Sequence, residues 1–179
     1  YSVAVSLLPG GRGDGQPITS LIDLETGTQV AHYFAGAAEQ TLLLANTGGF
    51  GLLARLGDMN SRQKAGKSFL TLEAADKLLP PVAVLPAQSN VACLAMGGRL
   101  LVFPMSELKL QSNGGRGLTL MDVDAKDPLI SVTAFADAVR VLGTGRGGKD
   151  KDEPVKGTTL ASHVGKRARK GHKVEGVMK

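Results

Sequence analysis

The chain has 179 residues, 42% hydrophobic and 21% charged, with a net charge of +5, enough apolar content to build one sizeable core or a few small stacked ones. Its single cysteine, Cys93, rules out an internal disulfide framework and fits a reducing compartment. No apolar run approaches the length needed to span a membrane, and no signal-peptide pattern is visible.

The charge is unevenly spread. Residues 1–138 carry 10 Lys/Arg against 12 Asp/Glu, whereas residues 139–179 carry 11 against 4. A basic end on a near-neutral body points to a polyanionic partner or to a charged tail that binds nothing in particular. The chain starts at Tyr1 in mid-pattern without an initiator methionine, which reads as a fragment of something larger.

In chain order, residues 1–8 alternate like a strand, a glycine-rich loop follows over 9–15, and strands are predicted over 18–24 and 29–34. The next unit is clearest. An apolar strand over 40–46, a Thr47-Gly48-Gly49 hairpin turn where glycine supplies positive φ, and a return strand over 50–55 precede a loop and a strand over 68–72. A polar connection and a strand over 81–85 close that unit. The order then repeats: strands over 91–95 and 99–103, a loop, strands over 118–123 and 129–134. Leu44-Ala45 and Leu94-Ala95 lie 50 residues apart. A third copy begins at Val139 and is interrupted by an insert over 145–153 that holds no apolar residue, so a mobile loop is expected there.

Four short strands per unit, glycine turns and almost no helical periodicity predict an all-β, propeller-like arrangement of four-stranded blades, with a β-sandwich as the alternative. The approximate divisions are a partial blade 1–39, blades 40–88 and 89–137, and a divergent blade 138–179. Some three to four blades are too few to close a ring, which again suggests a fragment or an open arc.

Most apparent motifs have a bland explanation. Gly66-Lys67-Ser68 looks like the end of a phosphate-binding loop, but Ser61 stands where that motif needs glycine, and a strand rather than a helix follows. Gly143 to Gly148 lacks the strand–helix unit of a dinucleotide loop, and Arg12-Gly13-Asp14 matches an adhesion tripeptide by chance. His32, His163 and His172 lack metal-ligand spacing, and no metal site is expected. Asp122 and Asp124 are either paired acids or turn residues, and the turn reading is favoured. Cys93 has no visible base and reads as core. No catalytic constellation emerges.

One pattern does recur: a basic glycine turn running into an apolar strand. Taking Gly15, Gly66, Gly115 and Gly171 as equivalent, the spacings are 51, 49 and 56, the sign of stacked or radial repeats. In such a fold equivalent turns fall along one rim. Arg12, Arg62, Lys64, Lys67, Arg116, Lys166, Arg167, Arg169 and Lys170 then line one basic track, suited to the phosphates of duplex DNA without base reading. An aromatic content of 4% with no tryptophan argues against readers that stack bases.

Three stretches carry a resemblance: Thr47-Gly48-Gly49-Phe50-Gly51; Asn60-Ser61-Arg62-Gln63-Lys64-Ala65-Gly66-Lys67 running into Phe69-Leu70-Thr71-Leu72; and Gly97-Gly98-Arg99-Leu100-Leu101-Val102-Phe103-Pro104-Met105-Ser106-Glu107-Leu108. Together they resemble the C-terminal domain of the A subunit of bacterial topoisomerase IV, over most of residues 1–139 and more loosely beyond. The resemblance implies a β-pinwheel whose blades exchange strands, a basic outer rim that binds and bends duplex DNA, and a role in presenting that DNA to the cleavage core of a type II topoisomerase. It implies two protein partners, the B subunit and the rest of the A subunit, in a bacterial cytoplasmic, nucleoid-associated setting with no membrane. It also places the cleaving tyrosine, and the use of ATP and Mg, elsewhere in the enzyme, so no cofactor is expected here. The related gyrase A subunit carries a Gln-Arg-Arg-Gly-Gly-Arg/Lys-Gly box. Only degenerate versions occur here, at Gln63-Lys64 and from Gln111 to Gly117, which favours topoisomerase IV over a gyrase wrapping domain. A protein-interaction propeller is the other alternative, and an enzyme in its own right ranks last.

Overall fold

A computed structural model describes residues 3–63, 65–144 and 148–174. Ten strands dominate: β1 (Thr41–Ala45), β2 (Phe50–Arg55), β3 (Val82–Ala83), β4 (Asn90–Ala95), β5 (Arg99–Pro104), β6 (Leu118–Thr119), β7 (Leu129–Phe135), β8 (Ala138–Thr144), β9 (Asp150–Lys156) and β10 (His172–Lys173). The all-β expectation holds. The only α-helix among the described residues is one short turn, α1 (Gly157–Ala161).

Each repeat is nucleated by a hairpin. In the first, β1 and β2 pair antiparallel, with Leu42 opposite Ala54 and Ala45 opposite Gly51. The turn is fixed by buried Asn46, whose side-chain oxygen accepts the Phe50 N–H at 3.1 Å. In the second, β4 and β5 pair the same way, with Val91 opposite Phe103, 49 residues further on. β3 flanks β1 and β7 flanks β4, again antiparallel.

The fourth strand of each sheet comes from the following repeat. The sheets are ordered β3-β1-β2-β6 and β10-β5-β4-β7. β6 lies between β5 and β7 in the chain, yet pairs with β2, Gly51 opposite Leu118. β10 does the same to β5, Leu100 opposite His172. A cut between residues 88 and 89 therefore does not separate the two sheets, which is the exchange of strands that the resemblance implied.

This stacking explains why the hairpin strands are apolar on consecutive residues instead of alternating: both faces are covered. Leu43, Ala45 and Leu53 face forward and pack against Val91, Cys93, Leu101 and Phe103. Ala92, Leu100 and Val102 face forward again, against Val139, Val141 and Val155 of the β8–β9 hairpin. The rear face of the first sheet, Leu42, Leu44, Leu52 and Ala54, is lined by Leu56, Met59, Phe69 and Leu70.

Three expectations need correction. Residues 3–34 hold no strand; short 3-10 turns at Val5–Leu7 and Ile18–Ser20 replace the predicted strands. Alternation alone does not make a strand without a partner edge, and Val5 and Leu7 stay 82% and 62% exposed. The predicted strands at 68–72 and 118–123 shrink to a single bridge at Leu70 and to the two residues of β6 with a bridge at Met121. The insert is not a loop through residue 153, because Asp150 to Lys156 pair along β8 from Thr144 to Ala138. Backbone pairing, an Arg140–Asp152 ion pair at 2.6 Å and the inward Val155 hold that strand despite its polarity. Residues 145–147 lie outside the described residues.

Cys93 is fully buried in the central cluster, and burial pushes its thiol far above its ordinary range. A thiol reagent such as Ellman's should therefore leave the native protein unlabelled and react only as denaturant unfolds it; rapid labelling without denaturant would contradict this packing.

Candidate nucleic-acid interface

The basic turns are tied to one another through backbone. Phe69 O accepts the Gly115 N–H at 2.8 Å, and Gly115 O accepts the Thr71 N–H at 3.0 Å. The stretch leaving the first turn thus lies against the second. One repeat later, Leu120 O accepts the Ala168 N–H at 2.9 Å and Arg169 O accepts the Asp122 N–H at 3.0 Å. The stretch leaving the second turn lies against the third. Two parallel bridges, Leu70 with Gly115 and Met121 with Arg169, mark the same register.

That register shifts the expected equivalence by two residues. Leu70 matches Met121, 51 apart, and Gly115 matches Arg169, 54 apart. The glycine equivalent to Gly171 is therefore Gly117, not Gly115. Both have positive φ, +80° and +69°, and at each an added Cβ would fall on a strand carbonyl, that of Gly51 and that of Leu100. Ala168, the one non-glycine among the described residues at positive φ (+63°), stands where the second turn has Gly114 at +68°. The second and third turns thus share two positive-φ positions, although Gly115 at +127° has no such counterpart in Arg169, and the sequence hides the register because Gly115 and Gly117, on either side of Arg116, offer two alignments.

The nine predicted residues do not share one fate. Arg62, Lys67 and Arg116 lie on the first two linked turns, and Lys166, Arg167, Arg169 and Lys170 on the third. Arg12 is not joined to them: its loop is exposed, and Cβ atoms added at Gly10, Gly11, Gly13 and Gly15 would meet nothing within 4 Å. Lys64 lies outside the described residues. Of the linked residues, Lys67 donates from Nζ to the Asp58 carbonyl at 2.8 Å and sits 5.3 Å from the Phe69 ring centre. Arg167 is half-buried. It donates from Nη1 to the Thr119 carbonyl at 2.6 Å, and its N–H donates to Glu107 at 3.0 Å, so it ties the third turn to β6 rather than facing outward. Arg116 lies over the Phe50 ring at 4.1 Å, with Glu73 at 3.6 Å. Arg62, Lys166, Arg169 and Lys170 are exposed.

Sequence reading misses Arg99, which begins β5. Its Nε donates to Asp127 at 2.6 Å and its Nη1 to the carbonyls of Lys170 at 2.6 Å and Asp122 at 3.2 Å. One side chain thereby joins the β4–β5 turn, the connection after β6 and the third basic turn. The Gly97-Gly98-Arg99 turn is plain in the sequence, but its acidic partner 28 residues away is not. Partial burial pushes the Asp127 carboxyl up. The Gly97 N–H, the Arg99 guanidinium and the charge of Lys173 outweigh that and hold it below its ordinary value.

Asp124 is a turn residue, its carboxylate accepting the N–H groups of Lys126 and Asp127 at 2.8 and 3.1 Å. Among the described residues no group of three or more His, Cys, Asp or Glu is placed to hold a metal ion, and no helix is long and apolar enough to cross a membrane.

No family model matches the chain. Among curated proteins it is 33% identical over 175 residues to the DNA topoisomerase 4 A subunit of Neisseria gonorrhoeae, covering 94% of this chain and 23% of that protein. It is 30% identical over 167 residues to the corresponding protein of Escherichia coli K12, covering 93% and 20%. The chain thus spans less than a quarter of the length of these relatives. Among solved structures, the E. coli ParC C-terminal domain superposes with a TM-score of 0.85 at 26% identity, covering 96% of this chain and 70% of that one. A DNA gyrase A C-terminal domain superposes at 0.66 and 19%, covering 88% and 52%, a likeness of fold. With its exchanged outer strands and linked turns, this chain belongs to the family of bacterial topoisomerase IV A subunits and folds as their C-terminal β-pinwheel domain.

Proposed function

We propose that this domain binds and bends duplex DNA along the edge where the basic turns adjoin. It thereby presents a DNA segment to the cleavage core of a type II topoisomerase and sets substrate preference in decatenation and supercoil relaxation. The observation that carries the reading is the backbone ladder from Phe69 through Gly115 and from Leu120 to Arg169, which places three basic turns in succession. Positive side chains on fixed mounts suit phosphates spaced along a backbone, while base identity goes unread. In this reading Arg62, Arg116, Lys166, Arg169 and Lys170 supply the contacts, Lys64 and Lys67 add charge at the first turn, Arg167 holds the third turn in place, and Arg12 is peripheral. The domain does no chemistry; ATP and Mg serve other parts of the enzyme, and its protein partners are the B subunit and the rest of the A subunit.

The test is a salt titration of binding to a short duplex of arbitrary sequence. With about six phosphates engaged, log K should fall against log salt with a slope near −5, a loss of about 10³ in affinity between 50 and 200 mM. Changing the base sequence should leave this nearly untouched. Binding that ignores salt, or none at low salt, would sink the proposal.

A further inference from the structure

Arg116 is the most rigidly mounted of the outward cations. On one side Gly115 is bonded to both Phe69 and Thr71; on the other, Gly117 lies against the Gly51 carbonyl of β2 with no room for a side chain. The guanidinium rests on Phe50, 4.1 Å from the ring centre, which restrains its plane and leaves its N–H edge to an anion. The anion that occupies this edge is the protein's own. Glu73 Oε1 lies 3.6 Å from Arg116 Nη2, and both side chains are more than half exposed. That is an ion pair too long for a hydrogen bond and open to water, a weak hold by general experience. Carboxylate and phosphate present similar oxygen pairs to the same guanidinium fork.

The next repeat lacks this arrangement. Arg99 takes the place of Phe50, 49 residues on, and bonds the backbone carbonyl of Lys170, the residue in the place of Arg116. Asp124 takes the place of Glu73, 51 residues on, but its carboxylate is turned onto the N–H groups of Lys126 and Asp127. Lys170 is exposed. One repeat has a platform, a stacked arginine and a resident carboxylate; the other has a plain lysine and a diverted acid.

We infer that Glu73 is a built-in competitor for the phosphodiester at Arg116, so that binding there exchanges a carboxylate for a DNA phosphate on a pre-oriented guanidinium. This rests on the duplex-binding reading above. Its consequence is that the second turn contributes less affinity than its geometry allows, and grips only where the DNA path brings a phosphate close enough to displace Glu73.

The experiment measures binding of the intact protein to a 30-bp duplex across a salt series, for wild type and Glu73→Gln, each with and without Arg116→Ala. Glu73→Gln should tighten binding about three- to tenfold at low salt and steepen the log–log salt slope by up to about 0.9, one further phosphate no longer offset by a released carboxylate. With Arg116→Ala present, Glu73→Gln should change neither. Phe50→Leu should cut the gain from Glu73→Gln, because the plane of the guanidinium is then loose. Both charged residues are exposed, so melting temperatures should stay close to wild type. If wild type binds and Glu73→Gln changes nothing, the competition is refuted and DNA binding stands. If the gain survives Arg116→Ala, it is a general field effect and the inference fails. If no form binds the duplex, both readings fall.

Discussion

Gly117→Val should strongly destabilise the basic edge, lowering stability by about 3–5 kcal/mol and the melting temperature by about 10 °C or more. Two costs add. A β-branched residue at φ +80° is strained wherever it sits. The new Cβ also lands on the Gly51 carbonyl, a backbone atom that cannot turn aside. Either β6 leaves β2 or the second turn is rebuilt, and Arg116 loses its mount in both cases. The matched control is Gly10→Ala, where φ is ordinary and the space is open; it should stay within about 0.5 kcal/mol of wild type. Thermal unfolding followed by circular dichroism decides the matter, and a Gly117→Val protein that melts like wild type would show that β6 does not approach β2 as described.

Arg99→Ala should cost about 2–3 kcal/mol, roughly 5–10 °C in melting temperature. The side chain is 17% exposed and its partner Asp127 21%, so truncation strands a half-desolvated carboxylate and two backbone carbonyls together. The effect carries a pH signature. In the folded protein the Asp127 carboxyl titrates below its ordinary value of 3.8. The stability it contributes is therefore present in full above that value and is lost as pH falls through the lower, folded one. Without Arg99 its hydrogen bond and its charge no longer lower the carboxyl, while burial, the Gly97 N–H and Lys173 remain. The gap in stability between wild type and Arg99→Ala should be widest near neutrality and should narrow below about pH 4. A gap that stays constant from pH 7 to pH 3 would mean that packing of the arginine stem, not its pairing with Asp127, is what the substitution removes.

Much of the fold is legible because hairpins are local. An apolar run and a glycine turn suffice to bound Phe50–Arg55, and they bound the neighbouring strands to within a residue or two. Long-range pairing is not legible. Nothing in Leu118–Thr119 says that it belongs beside Phe50 rather than beside its own neighbours, and only resemblance supplies that. The N-terminal alternation misleads because a pattern of side chains does not supply a partner edge. On the binding edge, residue type and recurrence pick out the right turns. They cannot tell a cation facing outward from one spent internally, since Arg167 and Arg169 look alike in sequence and differ only in whether a Thr119 carbonyl lies within reach. Glu73 and Arg99 escape notice because each matters through a partner distant in the chain.

The donated outer strand also bears on how the domain is made. As the ribosome extends the chain, the hairpin of residues 41–55 emerges ahead of the second repeat, but its sheet stays incomplete until Leu118 and Thr119 have appeared. The second sheet waits in the same way for His172. Maturation therefore trails synthesis by about one repeat, and a ribosome stalled between two repeats exposes a raw β-edge that a chaperone, or a neighbouring nascent chain, is free to take.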